Sequence, residues 1–334
     1  MSEKRQKTVL LALLLMTGIV LFTAPFLGMK AIPLRAVLAT SELLTEHKIF
    51  WSLRIPRVLV AFLAGGALAL SGMCFQALFR NALATPFTLG VSSGASLGAA
   101  ICVRLGVTFS ICWISGITLF AFFGALLSIL LVYGLTRLRK GCSTSTMLLA
   151  GVAVSFFFSS LILFMQYISD FTDSFRIIRW LMGGVEVAGY KPILNLLPFV
   201  LIGCILIFYM INELNLLTVS EDFAISRGLN LQRTKSLFFL GTSLMIGGVV
   251  AICGPIGFVG MICPHICRLL IGPNHRYLTP ATLLFGGSFL VLSDTLARIL
   301  VAPAEIPVGV ITALLGGPFF LWLLIRGNGD RGTL

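Results

Sequence analysis

Charge is scarce in this sequence. Only 11% of its 334 residues are charged, where a soluble domain carries about 25%. Acidic residues number 12. A water-facing surface cannot be built from so little, which excludes an ordinary soluble globular fold. The phosphate-cradling string G-x-x-x-x-G-K-[ST] is missing, so the chain does not bind ATP through a P-loop. HExxH and zinc-type cysteine spacings are missing too, and no nucleophile–base pair suggests a membrane-embedded enzyme. The eight cysteines are scattered, mostly in or beside apolar runs, where Cys acts as a small hydrophobe and suggests no disulfide framework. The string CPHIC at 263–267 has no second ligand cluster near it, so no metal is assigned to Cys263, His265 or Cys267.

Acid is rarest inside the apolar stretches, where Asp294 alone falls. Ion-coupled carriers usually keep several intramembrane ionisable groups. An ion-coupled secondary transporter is therefore the alternative reading rather than the leading one. Arg298 follows Asp294 by one turn in the favoured acid-first order, which predicts a structural ion pair, Asp294 with Arg298.

Hydrophobic residues are what the chain has instead, at 58%. A membrane span needs about 20 of them in a row. Ten spans can be placed, at 8–28, 58–79, 91–103, 111–135, 147–167, 192–211, 236–252, 258–271, 281–300 and 308–325. The third and eighth are short and interrupted. This predicts an all-α integral membrane protein, with residues 1–334 forming a single transmembrane domain. The first 22 residues have a basic start and an apolar body but no clear small-x-small cleavage site, and are read as a retained first span. With the amino terminus inside, both termini fall in the cytoplasm and the larger share of the 24 basic residues lies there. Lys48, Arg54 and Arg57, with Arg298 at the far end of the ninth span, are left outside and need another explanation. The net charge of +12 thus reflects membrane orientation and implies no nucleic acid.

Two strings fit GGxxAxxG, at 65–72 and 247–254, on spans of opposite direction. Small residues at that spacing let helices approach closely, and an inverted repeat is a common transporter plan. Gly-Pro pairs recur at 254–255, 272–273 and 317–318. They mark places where a helix breaks at membrane depth, which is tolerated only in protein or beside a cavity.

One long polar island, residues 213–235, carries the signals of two short helices at an angle. Ser220 is an N-cap, and Glu221 and Asp222 follow in the first turn, where the helix dipole favours acid. Arg227 sits in the last turn, Gly228 is a left-handed stop, and Asn230 caps a second start. A flexible connector would need none of this.

Several strings coincide in order along the chain: LRIPR at 53–57, NALATP at 81–86, LGVSSGA at 89–95, LLAGVA at 148–153, WLMGG at 180–184, GFVG at 257–260, PHICR at 264–268 and EIPVG at 305–309. Together they resemble the permease subunits of bacterial ABC importers for iron–siderophores, haem and cobalamin, over nearly the whole length. The resemblance implies the type II importer permease fold of ten spans in the cytoplasmic (inner) membrane. The partners it implies are a second copy of the permease, two ATP-binding cassette subunits inside, an extracytoplasmic substrate-binding protein outside, and membrane lipid. It implies no cofactor in this chain, ATP and Mg being bound by the partner, and no catalytic residue. It assigns the ATPase-coupling loop to Ser220, Glu221, Asp222, Ala224, Arg227, Gly228 and Leu229. Arg54, Arg57 and Arg298 fall at the rim that meets acidic residues of the binding protein. Asn81, Leu83, Ser143 and Thr144 fall at the cytoplasmic gate. The sequence departs from the family's Asn-Pro-Leu-Ala at Ala82, and from its usual aliphatic residues at Cys263 and Cys267.

Overall fold

The computed structural model describes residues 3–28, 32–34, 37, 44–107, 109–111, 114–138 and 144–326. Almost all of this is helix, the form in which an apolar run satisfies its own backbone without water. In chain order the helices are α1 (Glu3–Thr23), α2 (Leu44–Ile49), α3 (Ile55–Phe79), α4 (Val91–Arg104), α5 (Gly116–Leu138), α6 (Thr144–Ile168) and α7 (Phe171–Leu181). There follow α8 (Lys191–Tyr209), α9 (Ile211–Val219), α10 (Glu221–Ser226), α11 (Leu231–Cys253), α12 (Val259–Ile271), α13 (His275–Ile299) and α14 (Val308–Arg326). A π turn, Phe50–Arg54, runs α2 into α3. A minimal antiparallel pair, β1 (Ser110–Ile111) with β2 (Ile114–Ser115), precedes α5.

Seven of these helices, α1, α3, α5, α6, α8, α11 and α13, are long and apolar enough to cross a membrane, and α4, α12 and α14 are shorter apolar helices. The ten expected spans fall on these ten helices one for one. The chain is a multi-pass membrane protein. At 1.5 Å per residue, the 13 residues of α12 cover about 20 Å of a core roughly 30 Å thick. Non-helical backbone must complete that crossing. It lies just before α12, where Phe258 has φ 66°, and likewise before α4, where Gly90 has φ 82°. Both stretches are shielded from lipid, with Leu89 and Ile256 fully buried.

The pillar of the bundle is α3, whose apolar window is 83% buried against 22% for α8 at the periphery. Its small residues allow this. A Cβ on Gly65 would collide with the carbonyl of Gly286 on α13, and one on Gly72 with the carbonyl of Gly260 on α12. The packing repeats in the second half. As α3 lies against α12 and α13, so α11 lies against α4 and α5. The repeat is therefore carried by helix pairing and by the two short, interrupted helices. The GGxxAxxG strings sit at different points, mid-helix in α3 and at the close of α11, where Gly254 is the C-cap. Gly254 and Gly272 end α11 and α12, as Gly-Pro punctuation suggests, whereas Gly317 and Pro318 lie within an unbroken α14. A helix continues past one missing N–H when the turns on either side keep theirs.

Candidate functional site

The bundle has two polar ends. At one, α8 gives way to α9 at Met210, where φ and ψ depart from helix. The turn into α13 is fixed to α9, because Asn215 Oδ1 accepts from the His275 backbone N–H at 2.9 Å. Ser220 then stops α9 and caps α10, its Oγ accepting from Phe223 N–H at 3.0 Å. At the far end of α10, Gly228 N–H donates to Ile225 O at 2.8 Å and Leu229 N–H to Ala224 O at 3.1 Å. These are the two bonds of a Schellman closure, with Gly228 in the left-handed region at φ 82°. Arg227 is the C-cap, with its guanidinium 5.3 Å from the Phe223 ring centre. Asn230 Oδ1 accepts from Arg233 N–H at 3.0 Å and starts α11. Every cap read from the sequence is formed.

The result is a short helix, closed at both ends, with two faces. Ala224 is fully buried and seats α10 on the bundle. Asp222, Phe223, Ile225 and Arg227 are exposed. Glu221 Oε1 accepts from Lys235 Nζ at 2.8 Å and lies 3.9 Å from Arg80 Nη2. The sequence gives no sign of this pair, since residues 14 apart across a helix break share no periodicity.

Arg80 also ends α3 in a left-handed conformation, φ 46°. Beyond it Asn81 Oδ1 accepts from Leu83 N–H at 2.9 Å, and Asn81 O from Ala84 N–H at 3.1 Å. The Asn81 side chain closes this turn without the proline that Ala82 replaces. Leu83 is exposed at its tip. Ser143 lies outside the described residues. Thr144 is the first residue of α6.

At the opposite end, Arg57 grips Asp294 from α3 across to α13. Its Nε lies 3.1 and 3.0 Å from Oδ1 and Oδ2, and its Nη2 2.9 Å from Oδ1. Its Nη1 donates to Glu305 Oε2 at 2.7 Å. Arg298 Nε lies 3.2 Å from Asp294 Oδ2, so the expected ion pair is present. Arg298 also donates to Leu27 O and to Thr295 Oγ1, and Arg54 donates to Pro25 O at 3.1 Å. Arg57 and Arg298, read from sequence as outward charges awaiting a partner, are mostly buried and held by carboxylates of their own chain. The sequence misses this because Arg57 and Asp294 lie 237 positions apart.

Cys263 and Cys267 are fully buried on α12, and among the described residues no group of three or more His, Cys, Asp or Glu could hold a metal. The string GVSSG at 90–94 has the spelling of a nucleophile elbow. Here a 3-10 turn rather than a strand precedes it, and Ser92 is buried in the first turn of a membrane helix.

A bundle of ten apolar helices, with a capped helix at one end and a charged rim at the other, has the build of a multi-pass membrane transporter. Residues 11–326 match the model of the FecCD transport family. The haemin transport system permease protein HmuU of Yersinia pestis is 36% identical over 337 residues, covering 99% of both chains. The vitamin B12 import system permease protein BtuC of Klebsiella pneumoniae is 40% identical over 282 residues, covering 84% of this chain and 83% of that one. A solved metal-chelate type ABC transporter in an inward-facing conformation superposes with a TM-score of 0.85 at 30% identity, covering 96% of this chain and 99% of the other. The chain belongs to the FecCD transport family.

Proposed function

We propose that this chain is the permease subunit of a bacterial ABC importer that carries a metal chelate, of the iron–siderophore, haem or cobalamin class, across the cytoplasmic membrane. It works as a pair of permeases with two ATPase subunits, which bind the ATP and Mg. The observation that carries this reading is α10, doubly capped and closed by a Schellman turn, with Phe223 and Ile225 exposed on it. A helix so fixed suits pushing by an ATPase, and its end of the molecule would be cytoplasmic, along with both termini and the Asn81–Leu83 turn of the gate. The binding protein would dock at the opposite rim. There Arg54, Arg57 and Arg298 gather with Asp294 and Glu305, and acidic residues of a partner would meet that rim. Asp294 speaks against the ion-coupled alternative, because both its oxygens are already taken by guanidiniums. Uptake of haemin, cobalamin or a ferric siderophore into proteoliposomes holding permease, ATPase and binding protein should need ATP and ignore proton and sodium gradients. Uptake on a gradient alone would count against the reading.

Gly228 offers a local check. Among the described residues, nothing beyond its chain neighbours lies within 4 Å of a Cβ added there, so the added Cβ costs mainly the left-handed backbone, about 1–2 kcal/mol. Gly228→Val should reopen the Schellman turn while the ten spans still insert. The expected result is reduced co-purification of the ATPase from membranes that contain normal amounts of permease. Unchanged ATPase recovery together with full uptake would remove α10 from the coupling role.

A further inference from the structure

Lys235 is the unusual group at the α10 end. It lies in the second turn of α11 with its side chain only 3% exposed, and Glu221 Oε1 lies 2.8 Å from its ammonium. Glu221 is the first residue of α10, and its side chain is 30% exposed. The same oxygen is 3.9 Å from Arg80 at the end of α3. One carboxylate on the short helix thus reaches the two most buried long helices of the bundle, α3 and α11. Breaking an ion pair at an ammonium this buried is costly, because charge held out of water must be compensated. The pair therefore fixes where the start of α10 sits relative to α11. Other contacts hold α10 on its inner face, through the buried Ala224 and the Leu229 closure.

We infer that Glu221 is a positioning residue for transport. It faces the bundle instead of the ATPase and transmits displacement of α10 to α3 and α11 through Lys235 and Arg80. This rests on the reading of α10 as the ATPase-contacting helix. Transmission and mere stabilisation make different predictions for the doubly neutral pair. Glu221→Gln with Lys235→Met removes both charges, so the burial penalty disappears along with the tether. A structural pair would then be dispensable, because well-packed apolar replacements of buried pairs are often neutral or stabilising.

The test uses proteoliposomes of the full complex, with whichever of haemin or cobalamin the wild type imports. It measures the ATP hydrolysed per molecule imported, the ATPase retained on purification, and the thermal midpoint of the complex. Glu221→Gln alone should lower the midpoint, keep the ATPase bound and raise the ATP-to-import ratio. The double variant should recover the wild-type midpoint and still show a ratio at least about fivefold above wild type, the lower end of an ordinary coupling energy. Lys235→Arg, which keeps the pair, should hold the ratio near wild type. A double variant whose ratio recovers together with its midpoint overturns the inference, because the pair is then only structural. Loss of the ATPase from Glu221→Gln at an unchanged midpoint also overturns it, because Glu221 then touches the ATPase directly. Wild-type import driven by an ion gradient without ATP overturns the ABC reading itself, and the role of Glu221 with it. Import by ATP with every variant ratio unchanged overturns the role of Glu221 alone.

Discussion

Asp294→Asn is expected to destabilise the protein by about 3–5 kcal/mol, the cost of breaking a buried ion pair from one side. The carboxylate is 1% exposed and both oxygens are engaged, by Arg57 from α3 and by Arg298 from its own helix. Asparagine keeps the shape but leaves two mostly buried guanidiniums without their shared counter-charge. Glu305→Gln removes a carboxylate from the same arginine, but that side chain is 32% exposed. Water can replace it, and the expected cost is about 0–1 kcal/mol. At roughly 2 °C per kcal/mol for a chain this long, the thermal midpoint in detergent should fall by about 6–10 °C for Asp294→Asn and hardly at all for Glu305→Gln. On the proposed function, the surviving folded fraction should still import with ATP, because the drive comes from the ATPase. Equal midpoints for the two variants would mean that the rim is not held by this pair. Uptake that loses a dependence on an ion gradient would hand Asp294 to the ion-coupled reading.

What the sequence makes legible here is what is local. Ser220, Gly228 and Asn230 act within three or four residues of themselves, so their caps follow from spelling alone. Long apolar runs place the spans because a membrane allows little else, and α4 and α12 are already short on the page. The i,i+4 pair of Asp294 with Arg298 is legible for the same reason. What joins distant segments is not. Arg57 to Asp294 and Glu221 to Lys235 depend on which helices become neighbours, and no periodicity carries that across a break. This is why the rim arginines read as unpaired charge in the sequence, yet Arg57 and Arg298 meet Asp294 and Arg54 donates to Pro25 O within the chain. The repeat was half legible. Small residues in two halves point to it, but it is the pairing of α3 with α12 and α13, matched by α11 with α4 and α5, that carries it. The substrate is the least legible. The chelate would be gripped first by a separate binding protein, and the helices here offer mainly apolar and small side chains.

Gly72→Ala should be among the most damaging single-methyl additions in the chain. Gly72 lies in the second half of α3, and the added Cβ would collide with the Gly260 carbonyl on α12. That obstacle is backbone, which cannot swing aside as a side chain does. The two helices must separate, and α12 is already a short helix completed by a strained entry at Phe258. Small residues drive such contacts because helices in lipid associate by close packing, with no hydrophobic gain to fall back on. Overpacking of this kind costs about 1–3 kcal/mol where neighbours can shift, and more where they cannot. Gly134→Ala provides the contrast on α5, where, among the described residues, nothing beyond the helix's own backbone lies within 4 Å of the new methyl. There alanine should be neutral, or stabilising by up to about 1 kcal/mol through helix propensity. The measurements are the thermal midpoint and the monodisperse yield in detergent, with ATP-driven uptake on whatever folds. Gly72→Ala should lose on all three, and Gly134→Ala should match wild type. If the two variants behave alike, α3 does not lie against α12 as closely as described, and the central contact of the fold is wrong.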